Sequence, residues 1–150
     1  MTGVAITAEL DRHLLADAVA VLDRLGSGFV PQLARDIGAM IERQTKDRIR
    51  TDKTAPDGTP WAPWSDRYAQ TRNTGNRRAN SLLIDSENLL VSVQDYTTGT
   101  TATVGSQTPY SAIHQFGGRG IPERPYLGLS AADRREIEDL VIDLSAEWLQ

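Results

Sequence analysis

The residues best suited to chemistry gather between Pro109 and Ser130, "PYSAIHQFGGRGIPERPYLGLS", where one histidine and two arginines share a short segment with four glycines, three prolines and three aromatics. His114 beside Arg119 and Arg124 has the makings of an acid/base centre or an anion clamp, because imidazole titrates near neutrality and guanidinium forks match carboxylates and phosphates. The same composition also describes a shaped loop whose backbone path is its purpose. Gly117 and Gly118 permit angles that other residues resist, and Pro122 and Pro125 hold "IPERPYLG" extended. On that reading Tyr110, Phe116 and Tyr126 supply packing, and His114 pins the loop by a hydrogen bond. Arg119 and Arg124 then serve either as inter-subunit salt-bridge partners or as groups facing DNA.

Little else in the chain names a reaction. Nucleophilic catalysis needs a nucleophile, a base within reach and an orienting group, and only His13 and His114 are available as imidazole bases. There is no G-x-S-x-G elbow, so a hydrolase using His114 as its base has no identified nucleophile. Cysteine is absent, which excludes disulfides, thiol nucleophiles and thiolate zinc sites, and two distant histidines argue against an imidazole-rich metal site. "FGGRG" lacks the lysine of a phosphate-binding loop and the preceding strand of a dinucleotide fingerprint, and no cofactor is expected. Glu136 with Asp139, and Asp139 with Asp143, share a helix face as hydrolytic carboxylates do and as solvated surfaces do equally. Arg72, Arg77 and Arg78, in "TRNTGNRRANS", offer guanidinium groups to phosphates or belong to a solvated loop.

The elements that must position these residues follow from periodicity. A chain of 150 residues suits one domain spanning 1–150, burying roughly 68–70% of its unfolded surface. Leu10, Leu14, Leu15, Ala18, Val21, Leu22 and Leu25 predict a first helix, and Val30, Leu33, Ile37, Met40, Ile41 and Ile49 a second running to about Arg50. "DKTAPDGTPWAPWSDRY" breaks both patterns, and its Trp61 and Trp64 are expected to dock on the helices or on a neighbouring copy. Ser65 suits the N-cap of a short helix through Gln70. Leu89–Tyr96 and Thr100–Gly105 predict a hairpin, with Val91 and Val93 on one buried face. Ile137, Leu140, Val141, Leu144 and Trp148 predict a last helix opened by a capping box at Ser130 and Asp133. The class is α+β: two N-terminal helices and a C-terminal helix on a small antiparallel sheet with long ordered loops.

Hydrophobic residues make up 39% of the chain and charged residues 24%, ordinary for a soluble fold; no apolar run is long enough to span a membrane, and the N-terminal residues do not form a secretory signal. The net charge of −4 argues against non-specific nucleic-acid binding by the whole surface. Charge is nonetheless segregated, basic from Arg43 to Arg78 and acidic after Ser130, which suits head-to-tail association of copies or simply marks two solvated helix faces.

Three motifs carry a resemblance spanning nearly the whole chain. "PDGTPWAPWSDRY" at 56–68 resembles a P-x-G-x-x-W-x-P-L-S block, "LLIDSENLLVSV" at 82–93 an I-L-x-x-S-G-x-L-x-x-S-I block, and "YSAIHQFGGRGIPERPYLGLS" at 110–130 a Y-A-x-I-H-Q-F-G-G block followed by I-P-A-R-P-F-L-G. These blocks resemble the phage virion morphogenesis family, the tail-completion or neck proteins of Mu-type and related tailed phages. Trp64 stands where that family often has leucine, and Glu87-Asn88 where it often has a glycine. The resemblance implies a non-enzymatic virion protein, assembled in the bacterial cytoplasm with other neck and tail proteins. It also implies a homo-oligomeric ring, of six copies, around the DNA channel at the head-tail junction or the head-proximal end of the tail. A tail terminator capping the tail tube is the alternative; an assembly-associated hydrolase and a DNA-binding module are the others. Within a ring, Trp61, Trp64, Tyr110, His114, Phe116, Arg119, Arg124 and Tyr126 are the interface candidates, together with the hairpin edges. Arg72, Arg77 and Arg78 are candidates to line the channel, with the acidic last helix outside.

Overall fold

Helix α1, Phe29–Asp47, is built from the three-and-four spacing that buries Phe29, Leu33, Ile37, Met40 and Ile41 along one side. Pro31 lies in its first turn, where a missing N–H leaves no hydrogen bond unmade. The helix runs on into a π-helical turn, Arg48–Asp52, closed by Lys53 in the left-handed region at φ 55°. Lys53 satisfies the open carbonyls itself, its N–H donating to Arg48 O at 3.0 Å and its ammonium to Ile49 O and Leu82 O. The structure, a computed structural model, describes residues 3–9, 28–73, 82–84 and 87–150, less the side chains of residues 8, 9, 72 and 73. The expected first helix from Leu10 to Leu25, His13, and Arg77 and Arg78 lie outside the described residues.

Three further helices are short: α2 (Asp66–Asn73), α3 (Asn88–Ser92) and α4 (Ser111–Phe116). The last, α5 (Ala131–Trp148), opens on the expected capping box, with Asp133 N donating to Ser130 Oγ at 3.0 Å and Ser130 N to Asp133 Oδ2 at 2.7 Å. It runs antiparallel to α1: Arg48 meets Asp133 at one end, Arg43 and Gln44 meet Glu136, and Phe29 meets Trp148 edge-on at the other, with ring centroids 5.8 Å apart. Some of the segregated charge is therefore neutralised within one chain.

The sheet is antiparallel with order β1-β3-β2, formed by β1 (Val4–Glu9), β2 (Val93–Asp95) and β3 (Thr101–Ser106). Two expectations are corrected here. The stretch Leu89–Tyr96 is not one strand, because Glu87 at φ 60° and the Ser92 Oγ bond to Leu89 O at 2.7 Å wind Asn88–Ser92 into a helical turn. Val91 is consequently 63% exposed while Val93 is fully buried, so the two do not share a face. Glu87 is also where the family motif often carries glycine, the residue that adopts positive φ without strain.

The second correction concerns β3. Strand β1, not anticipated from sequence, pairs with it from Val4↔Ser106 to Glu9↔Thr101, while β2 takes its other side. The hairpin's second strand is therefore the sheet's centre, and among the described residues the outer strands are β1 and β2. Helix α1 lies against β2 and β3, with Glu42 Oε2 accepting from Asp95 N at 2.8 Å. The core between them joins Leu33, Ile37 and Ile41 to Val93, Ala102 and Val104, and continues toward Trp61, Tyr126 and Leu127. The α+β class stands.

Candidate functional site

Residues 124–128 form an extended strap gripped from three sides. Arg48, buried at the end of α1, donates through Nη1 to Tyr126 O at 2.7 Å and through Nη2 to Asp133 Oδ2 at 3.0 Å. Gln115 on α4 accepts from Tyr126 N at 3.1 Å and Leu127 N at 3.0 Å with one oxygen, and its amide nitrogen donates to Leu127 O at 3.1 Å. From the proline-rich loop, Trp61 Nε1 donates to Pro125 O at 2.8 Å. Arg124 returns the contact, Nε donating to Ala62 O at 2.8 Å and Nη2 to Pro63 O at 3.0 Å. The two family-like loops are thus one hydrogen-bonded unit, sewn by side chain to backbone.

This resolves several candidates. Trp61 and Tyr126 are core residues, buried to 5% and 0% exposure, and not free interface anchors. Indole and phenol are held inside because each polar tip finds a carbonyl: Trp61 at Pro125, Tyr126 Oη at Ser111 O, 3.3 Å away. Burial pushes the Tyr126 hydroxyl well above its usual pKa. Arg124 is likewise buried, so it does not stand free to face DNA. Arg119, at φ 52° in an exposed turn, and Phe116, 68% exposed, do remain on the surface.

The turn itself is as expected, with Gly117 at φ 74° and Gly118 at φ 135°, and Gly118 and Ile121 exchanging backbone hydrogen bonds. The expected pin is corrected: the His114 backbone O accepts from Arg124 N at 2.7 Å, while the ring's Nδ1 is buried with no partner among the described residues. The imidazole packs edge-on against Tyr110, with centroids 5.9 Å apart. Burial, aided by the Arg124 charge, lowers its pKa from 6.5 and favours the neutral ring.

Outside the strap lies a groove of about 560 Å³. Trp64 and Tyr68, stacked edge-on at 5.6 Å, line it together with Leu83, Ile84, Leu89, Tyr110, His114, Ile121, Pro122 and Arg124. Four of the sequence candidates, Trp64, Tyr110, His114 and Arg124, thus meet in one concavity; Arg72 falls in α2, and its side chain lies outside the described residues. The lining is largely apolar and aromatic, with Ser65, Glu87 and Asn88 beside His114 and Arg124 as its polar members, an arrangement suited to binding. Among the described residues His114 has no hydroxyl or carboxylate partner, and no cluster of three or more metal-ligating side chains occurs.

Gln115 is the functional residue that sequence reasoning missed. Its signal was its fixed place in the Y-A-x-I-H-Q-F-G-G block, one residue from the turn.

Comparison with known proteins gives the setting. Residues 12–144 match the family described as the phage virion morphogenesis family. A putative capsid assembly protein G of Escherichia phage Mu is 29% identical over 149 residues, covering 88% of this chain and 92% of that protein. The Mu-like prophage FluMu G protein 2 of Haemophilus influenzae is 41% identical over 71 residues, 42% of this chain and 51% of its own. The tail completion protein S of Escherichia phage P2 is 27% identical over 123 residues, 74% and 81% of the two chains. No solved structure gives a significant match.

Proposed function

The chain belongs to the phage virion morphogenesis family, and on that premise we propose that it is a structural virion protein of a tailed phage, without catalytic activity. It acts in tail completion, as a ring of six copies at the head-tail junction or the head-proximal end of the tail, and it is assembled in the bacterial cytoplasm. The match to P2 tail completion protein S over 81% of that protein carries this reading. The geometry agrees with it: the most distinctive motifs are consumed in holding two loops together, and what they leave outward is an aromatic-lined groove suited to a protein partner.

Electron microscopy of particles made without the protein tests the role. Tails of normal length that fail to join heads are the expected result. Tails of uncontrolled length would transfer the protein to the terminator class, and fully joined infectious virions would remove it from assembly altogether. Binding of duplex DNA that weakens steeply with salt would instead favour the DNA-binding reading.

A further inference from the structure

His114 holds the strap with its backbone and leaves its ring unsatisfied. Its carbonyl O accepts from Arg124 N at 2.7 Å, while the buried Nδ1 has no partner among the described residues. A neutral imidazole tolerates this, because only one of its nitrogens carries a proton; imidazolium carries N–H on both and needs an acceptor at Nδ1. A charged donor left without one costs more than a neutral group. Little around the ring answers a positive charge. Tyr68 from α2, Glu87 at the start of α3, Tyr110 on α4 and Arg124 from the strap are the titratable or charged side chains that line the groove with His114. Strand β1, which also touches α4, carries only Glu9, at its far end opposite Thr101. Glu87 is exposed to water, as are Arg119 and Glu123 in the turn. Tyr110, edge-on to the imidazole, is a phenol and stays neutral in acid. The Arg124 charge opposes a second cation beside it.

We infer that α4 is an acid-operated catch on the strap: when His114 is protonated, α4 and the strap part, and the groove wall they form opens. Relief of the charge comes by separating the imidazole from Arg124, and these two residues are the ones joined by the His114 O–Arg124 N bond. The next residue on α4 is Gln115, whose one amide holds Tyr126 and Leu127, so a shift of this six-residue helix slackens both holds at once. Gly117 and Gly118 follow directly and absorb a change of backbone angle cheaply. His114, Gly120, Ile121 and Pro122 all line the groove, which therefore keeps its present shape only while His114 is neutral. Burial and the Arg124 charge hold the imidazole below its ordinary 6.5, so the closed form is fully favoured above 6.5 and loses ground as pH falls below it. The catch belongs to a single chain, whatever its assembly.

Hydrogen exchange of the full chain by NMR, read as protection factors between about pH 8 and pH 5, tests it together with titration of the His114 imidazole. Protection at Arg124 N, Tyr126 N and Leu127 N should fall by up to about tenfold per pH unit below 6.5, the limit for one proton, while α1 and the β1–β3 ladder keep theirs. The fall should follow the imidazole's own titration. It should vanish in His114→Phe, which keeps an aromatic side chain against Tyr110 and takes no proton, and persist in Glu87→Gln. Where His114→Phe fails to fold, the wild-type comparison of titration with exchange decides. Protection at the strap that does not change with pH, or an imidazole that titrates without it, overturns the catch. So does a loss shared equally by α1, which is acid unfolding of the whole chain, and so does a loss that survives in His114→Phe or disappears in Glu87→Gln.

Discussion

Gln115 is the residue on which the site's shape turns, because one side-chain amide serves three backbone groups of the strap. In Gln115→Leu the volume is kept while two N–H groups and a carbonyl lose their partner, a loss of about 3 kcal/mol given that each unmet buried group costs about 1–3 kcal/mol. For a chain of this length that lowers the thermal midpoint by about 6–12 °C. The adjacent Phe116→Ser, on a side chain 68% exposed, should stay within about 0.5 kcal/mol, so calorimetry of the pair separates a clasp from a merely crowded loop. His114 adds a pH dependence whose sign follows from its lowered pKa. As pH falls below 6.5 the unfolded chain takes up that proton first, so stability present above 6.5 is lost down toward the lower native value. Denaturant titrations at several pH values should show this slope in wild type and less of it in His114→Phe; an unchanged slope would remove His114 as its source.

At the level of elements, what was legible was whatever depends on neighbours close in sequence. The periodicity of α1 and the Ser130–Asp133 box of α5 are local patterns, and both appear where expected. Strand β1 was not legible, since "VAITAE" becomes a strand only by pairing with β3 nearly a hundred residues later. The Leu89–Tyr96 run misled for a related reason: its β-rich composition is overridden at Glu87, where a left-handed residue starts a helical turn. Trp61 and Tyr126 were legible as packing residues, with docking inside the chain or on a neighbouring copy left open, whereas Arg124 was not legible as inward, because a polar loop gives no sign that its carbonyls will meet a buried guanidinium. Asp133 shows how local and distant roles combine. It caps α5 and also pairs with the buried Arg48, which holds the strap. Ser130→Ala should therefore cost about 1 kcal/mol, a lost cap. Asp133→Ala should cost about 3–5 kcal/mol by stranding a buried cation. Equal losses in chemical denaturation would mean that the Arg48 pair contributes nothing.

For the whole molecule, the described surfaces divide between a closed interior, where the two distinctive loops are sewn together, and an outside that leaves Phe116, Ile121, Ile142 and Leu149 exposed. Scattered apolar residues are ordinary on a monomer, but Ile121 also lines the groove of about 560 Å³, where the proposed association would bury it. Association by the folded chain alone shifts the folding equilibrium, so stability must rise with protein concentration. At concentrations about a hundredfold above the dissociation constant the gain is about 2.7 kcal/mol. That corresponds to a thermal midpoint about 5–11 °C higher for a chain of this size. Differential scanning calorimetry over a thousandfold range of concentration should show this rise in wild type, reduced at high salt if charge pairing contributes to the contact. Ile121→Glu, at the groove, should show a smaller rise over the same range. A wild-type midpoint independent of concentration would mean that the folded chain gains nothing from its copies, and the proposed ring would then require contacts with other proteins from the first step.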